Sequence, residues 1–221
     1  MELLRRLIIE AAASLAVCLV VILATSGSTD GDAGRLAGGL AYGLGVMAAM
    51  YAFGRAGAVQ ANPAVTLAVF ATGNASLPRL VACLVGQCLG GAIAGGLAAW
   101  LLADAGTAVG LPVGELSLAD PTKAVVVEAV LAAVWALTFL SCVVDGRMGG
   151  AAPLVVGLAV AGLAIAGIPW TGAAMNPARA LASAVGSGDF ATLWVGLAGP
   201  LAGGGVAGMA WRILPAARRS R

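Results

Sequence analysis

The sequence predicts an all-α membrane protein in which six transmembrane helices and two re-entrant half-helices form an inverted repeat. Three observations predict it. Of 221 residues, 61% are hydrophobic and 10% charged, against about 25% charged in a soluble domain, so the apolar excess faces lipid. Six segments reach the length of about 20 apolar residues that a bilayer crossing needs. The tripeptide Asn-Pro-Ala occurs twice, at Asn62, Pro63, Ala64 and at Asn176, Pro177, Ala178, each time heading an apolar run too short to cross. The 33 glycines and 5% aromatic content suit close helix packing better than the alternating strands of a barrel.

The spans fall at about 7–26, 35–54, 79–103, 122–144, 151–169 and 190–213. The first follows Arg5 and Arg6 as a signal peptide would. Glu10 interrupts its apolar run, however, and more spans follow, so it reads as a retained helix. The separators carry turn chemistry: SGSTDGDAG, GNASLP, DGRMGG and GSGD. The longest loop, between spans three and four, holds Asp104, Glu115 and Asp120 with two prolines and reads as wet. Arg5, Arg6, Arg55, Arg79, Arg147, Arg212, Arg218, Arg219 and Arg221 fall on the side of the termini. The other side has Arg35, Lys123 and Arg179 against Asp30, Asp32, Asp104, Glu115, Asp120 and Asp189. Positive residues gather on the cytoplasmic face, so both termini are expected there.

Residues 62–72 and 176–185 remain. At 1.5 Å per residue each reaches roughly 15 Å, half of the hydrocarbon thickness of about 30 Å. Helix ends in lipid would leave backbone groups unsatisfied, so both must be buried in protein or line a wet cavity. One follows span two and the other span five. IIEAAASLAVCLVVIL in span one resembles VVVEAVLAAVWALTFL in span four, with Glu10 and Glu128 in register. With three spans per copy, the second copy enters the membrane inverted. The chain therefore reads as a single domain of inverted repeats, about 1–110 and 120–221, with its site near the midplane where broken helices meet.

Asparagine is a strong N-cap and proline suits the first helical position. Asp120-Pro121 shows the same grammar starting an ordinary span. What sets the two Asn-Pro-Ala stretches apart is their short length and matched position. Each half-helix brings an N-terminus of about +0.5 charge to the midplane. Two together repel cations and hydronium and leave neutral molecules untouched. The capping oxygens of Asn62 and Asn176 are occupied by backbone N–H groups, so their amide nitrogens are expected to donate into the lumen. A water accepting both would turn its own hydrogens outward and break the donor chain a proton needs.

ANPAVT and TGAAMNPARA, with the paired Glu10 and Glu128, resemble the aquaporin or major intrinsic protein family over the whole chain. The resemblance implies an hourglass-shaped channel, a homotetramer with one pore per subunit, and no cofactor. It also implies an outer constriction at Tyr42, Ala164, Ala173 and Arg179, and structural roles for Glu10 and Glu128, which hold the backbone entering each half-helix. Two alanines in that ring are expected to widen it. Gln60 stands where the family often has histidine, and Ala180 where glycerol channels have aspartate. The expected function is a passive channel for water and small uncharged solutes such as glycerol, closed to ions and protons, in a cell membrane.

Composition bears on the rivals. A chain without histidine lacks Ser-His-Asp and Cys-His catalysis and most metal sites, so neither an enzyme nor a metal protein is expected. Cys18, Cys83, Cys88 and Cys142 sit in apolar runs without paired spacing and read as small core residues. A net charge of +2 gives no reason to expect nucleic acid; the expected partners are lipid, water and neutral solutes. A secondary transporter built on inverted repeats is the main alternative, and a structural junction protein a lesser one. Gly39/Gly43, Gly86/Gly90, Gly91/Gly95 and Gly204/Gly208 are read as close helix crossings.

Overall fold

A computed structural model describes residues 1–26, 31–54, 58–105 and 107–213. Asp30, Arg55, Arg218, Arg219 and Arg221, read above for orientation, lie outside these residues. Among the described residues there are helices and loops and no strand. Six helices are long and apolar enough to cross a bilayer: α1 (Glu2–Thr25), α2 (Gly31–Phe53), α4 (Leu77–Leu102), α6 (Pro121–Phe139), α7 (Ala152–Thr171) and α9 (Leu193–Ile213). The half-helices are α3 (Pro63–Ala71) and α8 (Pro177–Ser187). The chain is a multi-pass integral membrane protein.

Element bounds differ from expectation in three places. α1 begins five residues early, at Glu2, because Arg6 has somewhere to go: its guanidinium donates to the carbonyl of Ala58 at 2.9 Å. The loop expected to be open and wet contains a short helix, α5 (Glu115–Ala119), which packs against α6 and α7. Asp120 then caps α6 by accepting from the Lys123 amide at 3.2 Å. The end of span four is a π-turn over Leu140–Val144, not regular α-helix.

Packing follows the repeat. α1 lies along α4, and α6 along α9. Glycine permits both approaches: a Cβ at Gly86 or Gly90 would collide with the carbonyls of Leu7 and Ala11, and one at Gly203 with that of Ala129. The half-helices are seated the same way and crosswise. Gly91 and Gly95 of α4 press on the backbone of α8 at Ala178 and Ala182, and Gly204 and Gly208 of α9 press on α3 at Ala64 and Ala68. α2 and α7 cross through Gly39, Gly43 and Gly157. Each glycine pair picked out in the sequence thus has its partner within the same chain. Without a hydrophobic drive between helices in lipid, such close backbone contact is the main source of association.

Candidate functional site

Each half-helix starts on its asparagine. Asn62 and Asn176 have extended backbones and accept through Oδ1 from the amides of Ala64 (2.8 Å) and Ala178 (2.9 Å), with Pro63 and Pro177 at the first helical turn. Their amide nitrogens do something the sequence did not disclose. Nδ2 of Asn62 donates to the Met175 carbonyl at 3.0 Å, and Nδ2 of Asn176 donates to the Ala61 carbonyl at 2.8 Å. Each asparagine therefore ties itself to the residue preceding the other. One N–H of each amide is spent on this link and a second remains.

The carbonyls reach across because Ala61 (φ 48°) and Met175 (φ 51°) are left-handed, as is Ala173 (φ 49°). A side chain in this region costs on the order of 1 kcal/mol or more and persists only where the surroundings over-determine it. The buried glutamates do so. Glu10 accepts from the amides of Gln60 (3.1 Å) and Ala61 (2.8 Å) and from Gln87 Nε2 (2.8 Å). Glu128 accepts from the amides of Ala174 (2.8 Å) and Met175 (2.6 Å) and from the Thr171 hydroxyl (2.6 Å). A carboxylate buried in a span survives only if its acceptor sites are filled, and here they are filled by loop backbone that no helix could satisfy.

Of the four constriction residues expected from the sequence, Tyr42, Ala173 and Arg179 come together at the second loop, and Ala164 lies in the same buried cluster as Tyr42 and Ala173. Arg179 Nη1 donates to the carbonyls of Gly172 (3.0 Å) and Ala173 (2.6 Å), and its guanidinium carbon lies 5.0 Å from the centre of the Tyr42 ring. The Tyr42 hydroxyl donates to the Ala174 carbonyl at 2.9 Å. Carbonyls 172 to 175 are thus each held by a side-chain donor, and each keeps a second lone pair. Ala164 and Ala173 are present as expected, yet both are 0% accessible, beside Tyr42 at 1% and Arg179 at 3%. Both small side chains are thus enclosed by their neighbours.

Sequence reasoning missed two further groups. Trp135 of α6 stands edge-on to Tyr42, with ring centroids 5.7 Å apart. Gln87 and Thr66 join Gln60 to Glu10 in one chain: Thr66 donates to Gln60 Oε1 at 2.7 Å and accepts from Gln87 at 2.8 Å. Both groups lay in apolar context where spacing alone gave no signal. VVVEAVLAAVWALTFL carried the only hint of the first, a tryptophan seven residues and two turns from Glu128 on the same face.

Six spans enclosing two half-helices that meet asparagine to asparagine define a class, the hourglass-shaped membrane proteins of inverted repeats. Comparison with known proteins narrows this. Residues 1–211 match the family described as major intrinsic protein, and the chain belongs to that family. It is 40% identical over 156 residues to aquaporin TIP4-4 of Zea mays, covering 68% of this chain and 60% of that one. It is 36% identical over 180 residues to the lens fiber major intrinsic protein of Gallus gallus, covering 78% and 66%. The match thus spans less than two thirds of the length of these relatives. The solved aquaglyceroporin of Plasmodium falciparum shares the fold, with a TM-score of 0.82, 20% identity and 96% of each chain covered.

Proposed function

We propose that the protein is a passive transmembrane channel for water and small uncharged solutes such as glycerol, closed to ions and protons. The observation that carries this reading is the reciprocal link between Asn62 and Asn176 at two facing helix N-termini. Each N-terminus contributes about +0.5 charge, and Arg179 adds a full charge at the constriction. A cation would have to shed its water there against that field. A neutral molecule meets donors from Asn62, Asn176 and Arg179 and the spare lone pairs of carbonyls 172 to 175. A water accepting from both asparagines points both its hydrogens away from the centre and interrupts proton transfer. The names of the relatives, aquaporin and aquaglyceroporin, agree with water and glycerol as permeants.

Coupled transport fits less well. A transporter needs an ionisable group free to bind and release its driving ion near the midplane. Glu10 and Glu128 are each occupied by three donors that the fold depends on. The deciding experiment is solute flux into proteoliposomes as a function of concentration. Flux that rises linearly and varies weakly with temperature supports a channel; saturating flux that depends on an ion gradient refutes it. We also infer that Tyr42, Ala164, Ala173 and Arg179 select the solute, that the chain acts as one domain, and that it forms homotetramers in the cell membrane. Both termini would face the cytoplasm: the arginine-rich side carries Arg5, Arg6, Arg79, Arg147 and Arg212.

A further inference from the structure

One side of Tyr42 is turned to α6. Register along the helices fixes what stands there. Gly39 of α2 faces Ile165 of α7 and Gly43 faces Ala161, so Tyr42 lies at the level of Gly162, about half a turn of α7 from Ala164. On the other side Gly167 of α7 faces Leu131 of α6. α6 and α7 are consecutive spans and run in opposite directions, so one turn beyond Leu131 brings Trp135 to the level of residues 163 and 164. Trp135, Tyr42 and Ala164 therefore share one slab of the molecule. The edge-on contact of Trp135 with Tyr42, at 5.7 Å between centroids, confirms the level independently.

Trp135 is only 1% accessible and is the largest of the fully buried side chains. Its indole N–H nevertheless has no acceptor among the described residues. It is also absent from the sealed, unpartnered polar atoms, which among those residues are Nε of Arg79 and Nε of Arg179. A buried tryptophan ordinarily finds a partner for its N–H. A donor with no acceptor in the protein that is not sealed off is available to a solute at that level.

We propose that Trp135 is a specificity-determining residue of the pore. Its indole closes the constriction from the α6 side, occupying the room that Ala164 and Ala173 leave, and sets the largest neutral solute admitted. Arg179 and Tyr42 hold one wall by a cation–π contact; Trp135 braces Tyr42 from behind and supplies the adjoining wall and one more donor. The size limit is thus displaced from the loop and α7 positions onto α6.

This inference rests on the channel reading, and the experiment separates the two. Proteoliposomes carrying the native protein, Trp135→Phe, Trp135→Leu or Trp135→Ala are tested by stopped-flow light scattering with water, urea, glycerol and erythritol, with a trapped pH dye. The glycerol-to-water ratio is expected to climb as the side chain shrinks, reaching about tenfold in Trp135→Ala, with erythritol gaining last and no proton leak. A flat ratio across a series that still conducts water overturns the proposal. A rise in every solute together with protons also overturns it, because loosened packing alone would produce that. Should Trp135→Ala or Trp135→Leu fail to yield folded protein, Ala164→Leu tests the same slab from the opposite wall. It is expected to lower the glycerol-to-water ratio about tenfold, and an unchanged ratio refutes the assignment. Native protein that conducts no water above empty liposomes refutes the channel reading itself, and this inference with it.

Discussion

The two loops that lead into the half-helices share a left-handed turn before the asparagine and differ in their side chains. In each, the residue before the asparagine is left-handed, a buried glutamate accepts two consecutive amides, and the asparagine reaches across to the other loop. The third residue after the asparagine then differs: Val65 in the first copy, Arg179 in the second. The third donor to the glutamate also differs. Gln87 serves Glu10, with Arg6 3.9 Å away, whereas Thr171 serves Glu128. Tyr42 and Arg179 gather at the second loop, with Trp135 beside Tyr42. On the channel reading proposed above, the symmetric parts set the meeting of the half-helices and the asymmetric parts decide what passes.

The symmetric parts should cost most when removed, and equally in both copies. Glu10→Ala and Glu128→Ala each strand three buried donors, at about 1–3 kcal/mol apiece. Both variants should lose monodisperse folded protein by size-exclusion chromatography in detergent; a large difference between them would break the equivalence of the two carboxylates. Next come the glycine seats. Gly95→Val drives a side chain into the backbone of α8, and Gly208→Val into that of α3, at about 1–3 kcal/mol each. Thermal melts should fall by similar amounts, while water flux per folded protein should drop further for Gly95→Val, because α8 carries Arg179.

Making the copies alike sharpens the comparison. Arg179→Val matches the second loop to the first. It should admit protons and raise glycerol flux relative to water by about tenfold, or 1.4 kcal/mol of barrier, as read by a trapped pH dye and light scattering. The smallest effect is expected from Tyr42→Phe. It removes one hydrogen bond to the Ala174 carbonyl, a loss of about 1 kcal/mol, visible as a lowered melting temperature with water flux retained.

Most of this fold could be read from the sequence because membrane physics is strict. Span length, half-helix length and the two capping asparagines each have few alternatives in lipid. The site was half legible. Glu10, Glu128, Asn62 and Asn176 announced themselves as polar groups in apolar surroundings. The crossed Asn62–Met175 and Asn176–Ala61 bonds did not, because they depend on left-handed alanine and methionine residues that no propensity predicts. Trp135 was hidden for the opposite reason: in an apolar span an aromatic residue reads as core. As proposed above, Trp135 takes the space that Ala164 and Ala173 vacate, because it stands beside Tyr42 at nearly the same level.

Simultaneous water and proton flux through the native protein tests the central claim most directly. Proteoliposomes with a trapped pH dye are given an osmotic step and, separately, a pH step in the presence of a potassium ionophore. Two meeting half-helices tied through Asn62 and Asn176 predict shrinkage well ahead of empty liposomes with dye traces that superimpose on theirs. Fast water flux accompanied by dye acidification above the empty-liposome rate would contradict the account.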